Sequence, residues 1–359
     1  MRPALASVKT ITVRAAVYFA VEVFLLGSIV AFLFSWPISG RMQRTQQQLG
    51  VNDTPYLADT ARSGADDSKY LPLLSAQSQV ALGGGKQPTS PITLVVSFFP
   101  MPSKRSLDEY MEWVQTFLTI SNTAMYVFTT PAFAARSGFA ARAAADPLVK
   151  LRLFSDVWAV SGNLSSRRAK FTADTAIDPE RVTHKSNPDL YAIWASKIEM
   201  LVHAAARNEF ASTQFVYADM GGFRIKEQRP LGPWPAEWRW LPPIASELVT
   251  MFLIERYCAA CDASSIQMLE GGVIAGPVAA LRWFQSQFWA IFDEWTARRK
   301  FAGKDQSIYN TMMQRHPSRF FAVPAYALFQ GQCDVWFYFQ SAFGLRHKCG
   351  QPPRRLAIS

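Results

Sequence analysis

The 359-residue sequence has no G-x-S-x-G segment, which sets aside the strained nucleophile elbow of the Ser/His/Asp hydrolases. It has no internal repeat and only one long apolar run, so neither a repeat array nor a multi-span membrane protein is indicated. No pair of carboxylates is spaced to face a single bond, which argues against glycosidase chemistry. The formal charge of +10 comes from scattered residues. The densest basic groups, Arg298 to Lys300 and Arg346 to Arg355, form no nucleic-acid module and read as solvated surface. No nucleic-acid partner is therefore expected.

Cysteine is scarce, with four residues. Cys258 and Cys261 form a C-x-x-C that suits a zinc half-site or a redox pair, but the spacing of Cys333 and Cys349 does not complete a common zinc motif. Two disulfides in an oxidising compartment are the better expectation, with Cys333–Cys349 preferred if only one forms.

Against these absences, hydrophobic residues make up 49% of the chain, enough for a large core. Residues 15–36 form a 22-residue apolar run interrupted by one charge, Glu22. At 1.5 Å per residue that run spans a hydrocarbon core of about 30 Å, and it is longer than the roughly 7–15 residues of a signal-peptide core. Glu22 opposes the reading, because a mid-membrane carboxylate is costly unless neutralised. Arg2, Lys9 and Arg14 precede the run and Arg41 and Arg44 follow it, a small bias towards a cytoplasmic N-terminus. The expected organisation is a cytoplasmic tail at 1–14, a transmembrane signal anchor at 15–36, a flexible stem at 37–90 and a lumenal domain at 91–359. The stem is rich in Gln, Ser, Gly, Ala and Asp and has no sustained period. The sequons Asn52-Asp53-Thr54 and Asn163-Leu164-Ser165 fit a lumenal glycoprotein.

From Pro91 onward strands and helices alternate. Ile92 to Phe99 reads as a buried strand, and Ser106 to Ile120 as a helix opened by a Ser106/Glu109 capping box. Ala124 to Thr130 and Lys150 to Phe154 are further strands. Leu190 to Asn208 is a helix with apolar residues at 190, 194, 198, 201 and 205, and Phe215 to Ala218 is a strand that ends on Asp219. This alternation predicts an α/β fold with an open, mostly parallel sheet flanked by helices, and ligands at the carboxyl ends of its strands.

Asp219, followed by Gly221 and Gly222, is the most informative position. A buried strand delivers a carboxylate at its tip, and glycines let the backbone approach a diphosphate and its divalent cation. Capping of a turn is the structural alternative. Downstream come Glu270-Gly271-Gly272 and Gly276, an aromatic-rich helix from Val278 to Arg298, and Asp305-Gln306 with Asn310. The loop Gln228 to Pro243, which carries Trp234, Trp238 and Trp240, suits an acceptor-binding lid, whereas most other tryptophans should be core.

A strand ending in Asp-x-Gly, then Gly-Gly-x-x-x-Gly, a helix, and Asp-Gln-x-x-x-Asn together resemble nucleotide-sugar-dependent glycosyltransferases of the GT-A fold. More narrowly they resemble the HtrL/YibB-like glycosyltransferase family. The resemblance spans roughly residues 92–325 and includes the opening strand, Trp194 and Lys197 on one helix, and Asn208-Glu209-Phe210. It implies that Asp219 coordinates Mn²⁺ or Mg²⁺ on the donor diphosphate, helped by a late histidine, His316 or His347. Gly221 stands where the wider class often has a second aspartate. Gly271, Gly272 and Gly276 would shape the floor of the site, and Asp305 and Gln306 would face the reacting sugar. Asp305 and Glu270 are candidates for the base, and Lys197 and Arg224 for phosphate contacts. Asp305 also fits a helix N-cap, and Lys197 a lysine at the edge of an apolar face. The implied partners are a nucleotide-sugar donor and a glycan acceptor. The implied location is the Golgi or ER membrane, in single-pass type II orientation.

Overall fold

A computed structural model describes residues 88–102, 105–224, 230, 233–236, 241–328 and 334–344. The expected anchor at 15–36, nearly all of the stem, Asn52, Cys333, Cys349, Trp238, Trp240 and His347 lie outside them. Among the described residues no helix is long and apolar enough to cross a membrane.

In chain order the elements are β1 (Ile92–Phe98), α1 (Leu107–Ile120), β2 (Met125–Thr129), α2 (Pro131–Ser137), α3 (Phe139–Ala145), β3 (Val149–Leu153), α4 (Gly162–Ser166), α5 (Arg168–Asp174), α6 (Arg181–His184) and α7 (Pro188–Arg207). There follow β4 (Gln214–Ala218), β5 (Val249–Leu253), β6 (Val273–Gly276), α8 (Val278–Ala297), α9 (Asp305–Arg315), β7 (Phe320–Pro324) and α10 (Tyr338–Ala342). The strands form one seven-stranded sheet in the order β3-β2-β1-β4-β6-β5-β7. Neighbours are parallel from β3 to β4 and between β5 and β7, whereas β6 runs antiparallel to both β4 and β5. The fold is therefore α/β with a mostly parallel sheet flanked by helices.

Continuous burial of β2, β4 and β5 explains their unbroken apolar runs, because both faces of the sheet are covered. On one face α7, α8 and α9 pack through Ile198, Leu201, Phe284, Phe288 and Tyr309. On the other, α1 and α10 pack through Phe117, Phe223, Trp234 and Phe339. The Ser106/Glu109 capping box is formed: Glu109 N–H donates to Ser106 Oγ at 3.2 Å, and Ser106 N–H donates to Glu109 Oε2 at 2.9 Å. In α7, Asn187 caps the start, Pro188 occupies the first turn, and Asn208 closes the end in the left-handed region at φ 39°.

Cys258 and Cys261 form a disulfide, while both residues of the preferred Cys333–Cys349 pair lie outside the described residues. The loop it closes is tied to α9, since Gln314 Nε2 donates to the carbonyls of Cys258 and Cys261 at 2.8 and 2.9 Å. Trp234, placed in a lid by its Pro-rich surroundings, is fully buried and donates from Nε1 to Gln340 O at 3.1 Å. The sequon residue Asn163 lies within α4, and its Nδ2, the atom a glycan would occupy, donates to Glu199 Oε1 at 3.2 Å.

Buried Asp174 gives the fold a pH dependence. Burial pushes its carboxyl up to about 6, partly opposed by the Ala302 N–H that donates to Oδ2. A raised folded-state value means that the native state holds the proton more tightly than the unfolded chain. Stability from this group is full below its ordinary value of 3.8 and is lost as pH rises through about 6. Asp174→Asn should therefore stabilise the protein by about 1–3 kcal/mol at pH 8 and by almost nothing at pH 4. Urea unfolding of both proteins at the two pH values checks this.

Candidate functional site

The switch from parallel to antiparallel pairing builds the site. β4 ends at Ala218, which pairs with Val273, the first residue of β6. Asp219 N–H donates to Gly272 O at 2.8 Å, which locks the strand tip against the Glu270-Gly271-Gly272 segment. Gly222 N–H then donates to Asp219 O at 2.9 Å and turns the chain. The Asp219 side chain is half-buried, and no group among the described residues donates a hydrogen bond to its carboxylate.

Asp219 stands where three cavities meet. The largest, about 350 Å³, is also lined by Lys197, Arg224, Glu270, Asp305 and Trp336. A second of about 110 Å³ runs under Phe98, Tyr110 and Trp194, and a third of about 210 Å³ runs past Tyr110, His184 and Arg224. Trp194 lines all three. Leu190 and Trp194 are half-buried: Trp194 packs against the core as the α7 stripe predicted, and both also line these cavities.

Lys197 is buried and bridges two segments: its Nζ donates to Asp305 Oδ2 at 2.9 Å and to Gly271 O at 2.8 Å. Burial favours the neutral amine, but Asp305, Asp219 and Glu270 outweigh burial and hold the ammonium above its ordinary range. Gly271 permits this approach, because a Cβ there would lie 3.1 Å from Asp305 Oδ2 and 3.4 Å from Lys197 Nζ. A Cβ on Gly272 would overlap Glu270 Oε1 and lie 3.6 Å from Asp219 Cβ, so the two carboxyl groups flank one glycine. Glu270 accepts from Gly272 N–H at 3.0 Å through Oε1, while its buried Oε2 has no partner. Burial pushes this carboxyl well above the ordinary range, an effect that Lys197 reduces and Asp219 reinforces.

Asp305 opens α9 as its first residue, one position after the N-cap expected for it, and accepts from Gln306 N–H through Oδ1 at 2.8 Å. Gln306 and Asn310 together explain the Asp-Gln-x-x-x-Asn spacing. Four residues apart on one helix face, they bind both polar groups of Leu269: Gln306 Nε2 donates to Leu269 O at 2.7 Å, and Leu269 N–H donates to Asn310 Oδ1 at 3.0 Å. The pair fixes the segment that carries Glu270. Gln306 lines the large cleft, but its amide nitrogen is engaged in this clamp.

No match to a protein-family model or to a curated protein is found for this chain.

Arg224 is held flat between Trp113 and Phe337, 4.7 and 4.6 Å from their ring centres, and donates from Nε to Gly221 O at 2.6 Å. Gly222 packs on α10: a Cβ would overlap the Phe339 ring, and its carbonyl accepts from Gln340 Nε2. Gly221 lines the cavity shared by Asp219 and Arg224, and Gly276 is the last residue of β6. His316 is not part of the site. It follows the 11-residue α9, about 16 Å along the helix from Asp305, and meets Trp283 edge to face at 5.6 Å. Lateness in the sequence put it at the wrong end of the helix.

Sequence reasoning missed the opposite wall. Glu180, His184 and Lys304 line the large cleft, with Lys304 Nζ 2.6 Å from Glu180 Oε1. His184 Nδ1 is 2.7 Å from Asp178 Oδ2. A histidine four residues after a glutamate and six after an aspartate was the available signal.

Proposed function

We propose that this chain is a nucleotide-sugar-dependent glycosyltransferase on a GT-A-like fold, moving a sugar to a glycan, glycolipid or glycoprotein acceptor. The observation that carries the reading is the Asp219 carboxylate. It has no hydrogen-bond donor among the described residues and stands at the carboxyl end of a central strand where three cavities converge. The mostly parallel sheet supports the resemblance drawn from the motifs. Residues 15–36 serve in this proposal as a type II anchor in the Golgi or ER membrane, with 91–359 as the lumenal catalytic domain.

A divalent cation fits the groups present. Asp219 offers a free carboxylate, and buried Glu270 Oε2 beside the same glycine lacks a partner. These two residues would hold Mn²⁺ or Mg²⁺, with the donor diphosphate supplying further oxygens; among the described residues no cluster of three or more His, Cys, Asp or Glu side chains completes a cage. When bound, the ion neutralises charge that grows on the leaving diphosphate. Arg224, its planar guanidinium packed between two aromatic rings, presents its fork to phosphate oxygens. Lys197 acts indirectly, tying Asp305 and Gly271 into one rigid floor.

The test is a thermal-shift screen with UDP- and GDP-sugars, with and without Mn²⁺, followed by donor hydrolysis. A donor at about 100 times its Kd should raise the melting temperature by at least about 5 °C. Binding without hydrolysis or transfer would favour the alternative reading, a non-catalytic nucleotide- or carbohydrate-binding protein. No shift with any donor would remove the assignment.

A further inference from the structure

The carboxylates suggested by the sequence as the reaction's base are otherwise engaged. Asp305 is bound by Lys197 Nζ at 2.9 Å and Gln306 N–H at 2.8 Å. Glu270 accepts from Gly272 N–H and shares its glycine with Asp219 at the cation position. The facing wall holds a group built differently. Asp178 is buried beneath the cleft and its carboxylate is fixed on all sides: Tyr191 Oη donates to Oδ2 at 2.5 Å, Glu180 N–H donates to Oδ1 at 2.8 Å, and His184 Nδ1 lies 2.7 Å from Oδ2. A carboxylate at Nδ1 selects the tautomer with the proton there and leaves the lone pair on Nε2. The ring is steadied by Trp194, edge to face at 5.0 Å, and His184 lines both the large cleft and the cavity beside it. Nε2 has no hydrogen-bond partner among the described residues; Glu180 Oε2 lies 3.7 Å from it, and Glu180 is itself held by Lys304. An acceptor with a lone pair, positioned by a buried carboxylate and open to the cleft, is the arrangement that general-base catalysis requires.

We propose that His184, oriented by Asp178, is the base that takes the proton from the acceptor hydroxyl, and that transfer inverts the anomeric centre. The inference rests on the glycosyltransferase reading of the same site. In the step, the acceptor oxygen forms a bond to the anomeric carbon as the bond from that carbon to the diphosphate oxygen breaks. The bonding pair leaves on the diphosphate, the hydroxyl proton moves to Nε2, and the imidazolium later returns it to water. The hydroxyl-bearing acceptor therefore enters the large cleft from the α6 side, where His184 lines it.

Two measurements on the full-length protein decide this. The first is the product of the unmodified enzyme: NMR of the new linkage should show the opposite anomer from the donor, and a retained anomer overturns the proposal. The second compares His184→Gln with wild type. The variant should bind donor with a Kd within about twofold and lose at least about 100-fold in transfer kcat, the usual contribution of such a base. Transfer within threefold of wild type overturns the role of His184 while leaving the glycosyltransferase reading intact; failure of wild type to bind any donor overturns both. Should His184→Gln not fold, diethyl pyrocarbonate labelling of wild type gives the same answer. Loss of transfer should track acylation of the His184 peptide, and full acylation with transfer retained refutes the role.

Discussion

Asp219→Ala is expected to lower transfer by about 10³-fold or more and to move the melting temperature by less than about 2 °C. The first half follows from position. The carboxylate stands at the junction of the three cavities, and no donor among the described residues satisfies it. Removing it takes away direct compensation of the diphosphate's cation, and a thousandfold loss corresponds to about 4 kcal/mol of transition-state stabilisation. The second half follows from the hydrogen bonds Asp219 makes. Its ties to Gly272 O and Gly222 N–H both run through the backbone and survive truncation of the side chain. A half-buried, unpartnered carboxylate contributes little to folding, and its removal relieves its repulsion of Glu270. Steady-state kinetics with the donor found in the thermal-shift screen, alongside thermal denaturation, measures both halves. Undiminished kcat in the variant would end the assignment of Asp219. A large drop in melting temperature would mean that it holds the turn rather than the donor.

Four of the seven strands, β1 to β4, were legible in the sequence, and β1, β2 and β4 are buried almost throughout; β5, β6 and β7, with the antiparallel run of β6, were not read from it. Continuous apolar runs such as Ile92–Phe98 and Gln214–Ala218 leave little choice of structure, and the capping signal at Ser106 and Glu109 is local. The floor of the site was legible for a related reason. A side chain on Gly272 would overlap Glu270 and one on Gly271 would crowd Asp305 and Gln306, so the chemistry left a mark in residue type. What escaped the sequence depends on contacts across long separations. The short helices α4 to α6 have no period of their own, and Asp178 and His184 acquire a purpose only when α6 folds over the cleft beside Trp194. Trp234 has the surroundings of a surface loop, yet Phe117, Phe223 and Phe339 enclose it. In the motif at the start of α9 the sequence suggested sugar contacts for Gln306, while the structure adds that its partner across the helix face, Asn310, and Gln306 itself hold the backbone of Leu269.

Lys197→Met should be among the most destabilising single changes in this protein, costing about 3–5 kcal/mol. The lysine is 4% exposed and so is its partner Asp305. Methionine fills nearly the same volume, so the loss is not one of packing. It is the loss of the one cation among the described residues that is bonded to buried Asp305, together with the donor that holds Gly271 O. Asp305 keeps two compensations, the Gln306 N–H and the favourable end of the α9 dipole, which place the expected value nearer the lower figure. An exposed pair such as Arg105–Glu109 is a useful contrast, since solvent screens it and little stability rests on it. The decisive comparison is the double variant Lys197→Met/Asp305→Asn. Asparagine still accepts from Gln306 N–H but carries no charge, so the double variant should regain most of what the single one loses. Urea denaturation of the four proteins gives the coupling directly. If the double variant is no more stable than Lys197→Met, the penalty belongs to the lost bond to Gly271 O and the consequent movement of the Glu270 segment, and not to a stranded charge. Either result fixes how the floor beneath Asp219 is kept rigid, because the same ammonium joins α7, α9 and the Glu270-Gly271-Gly272 segment.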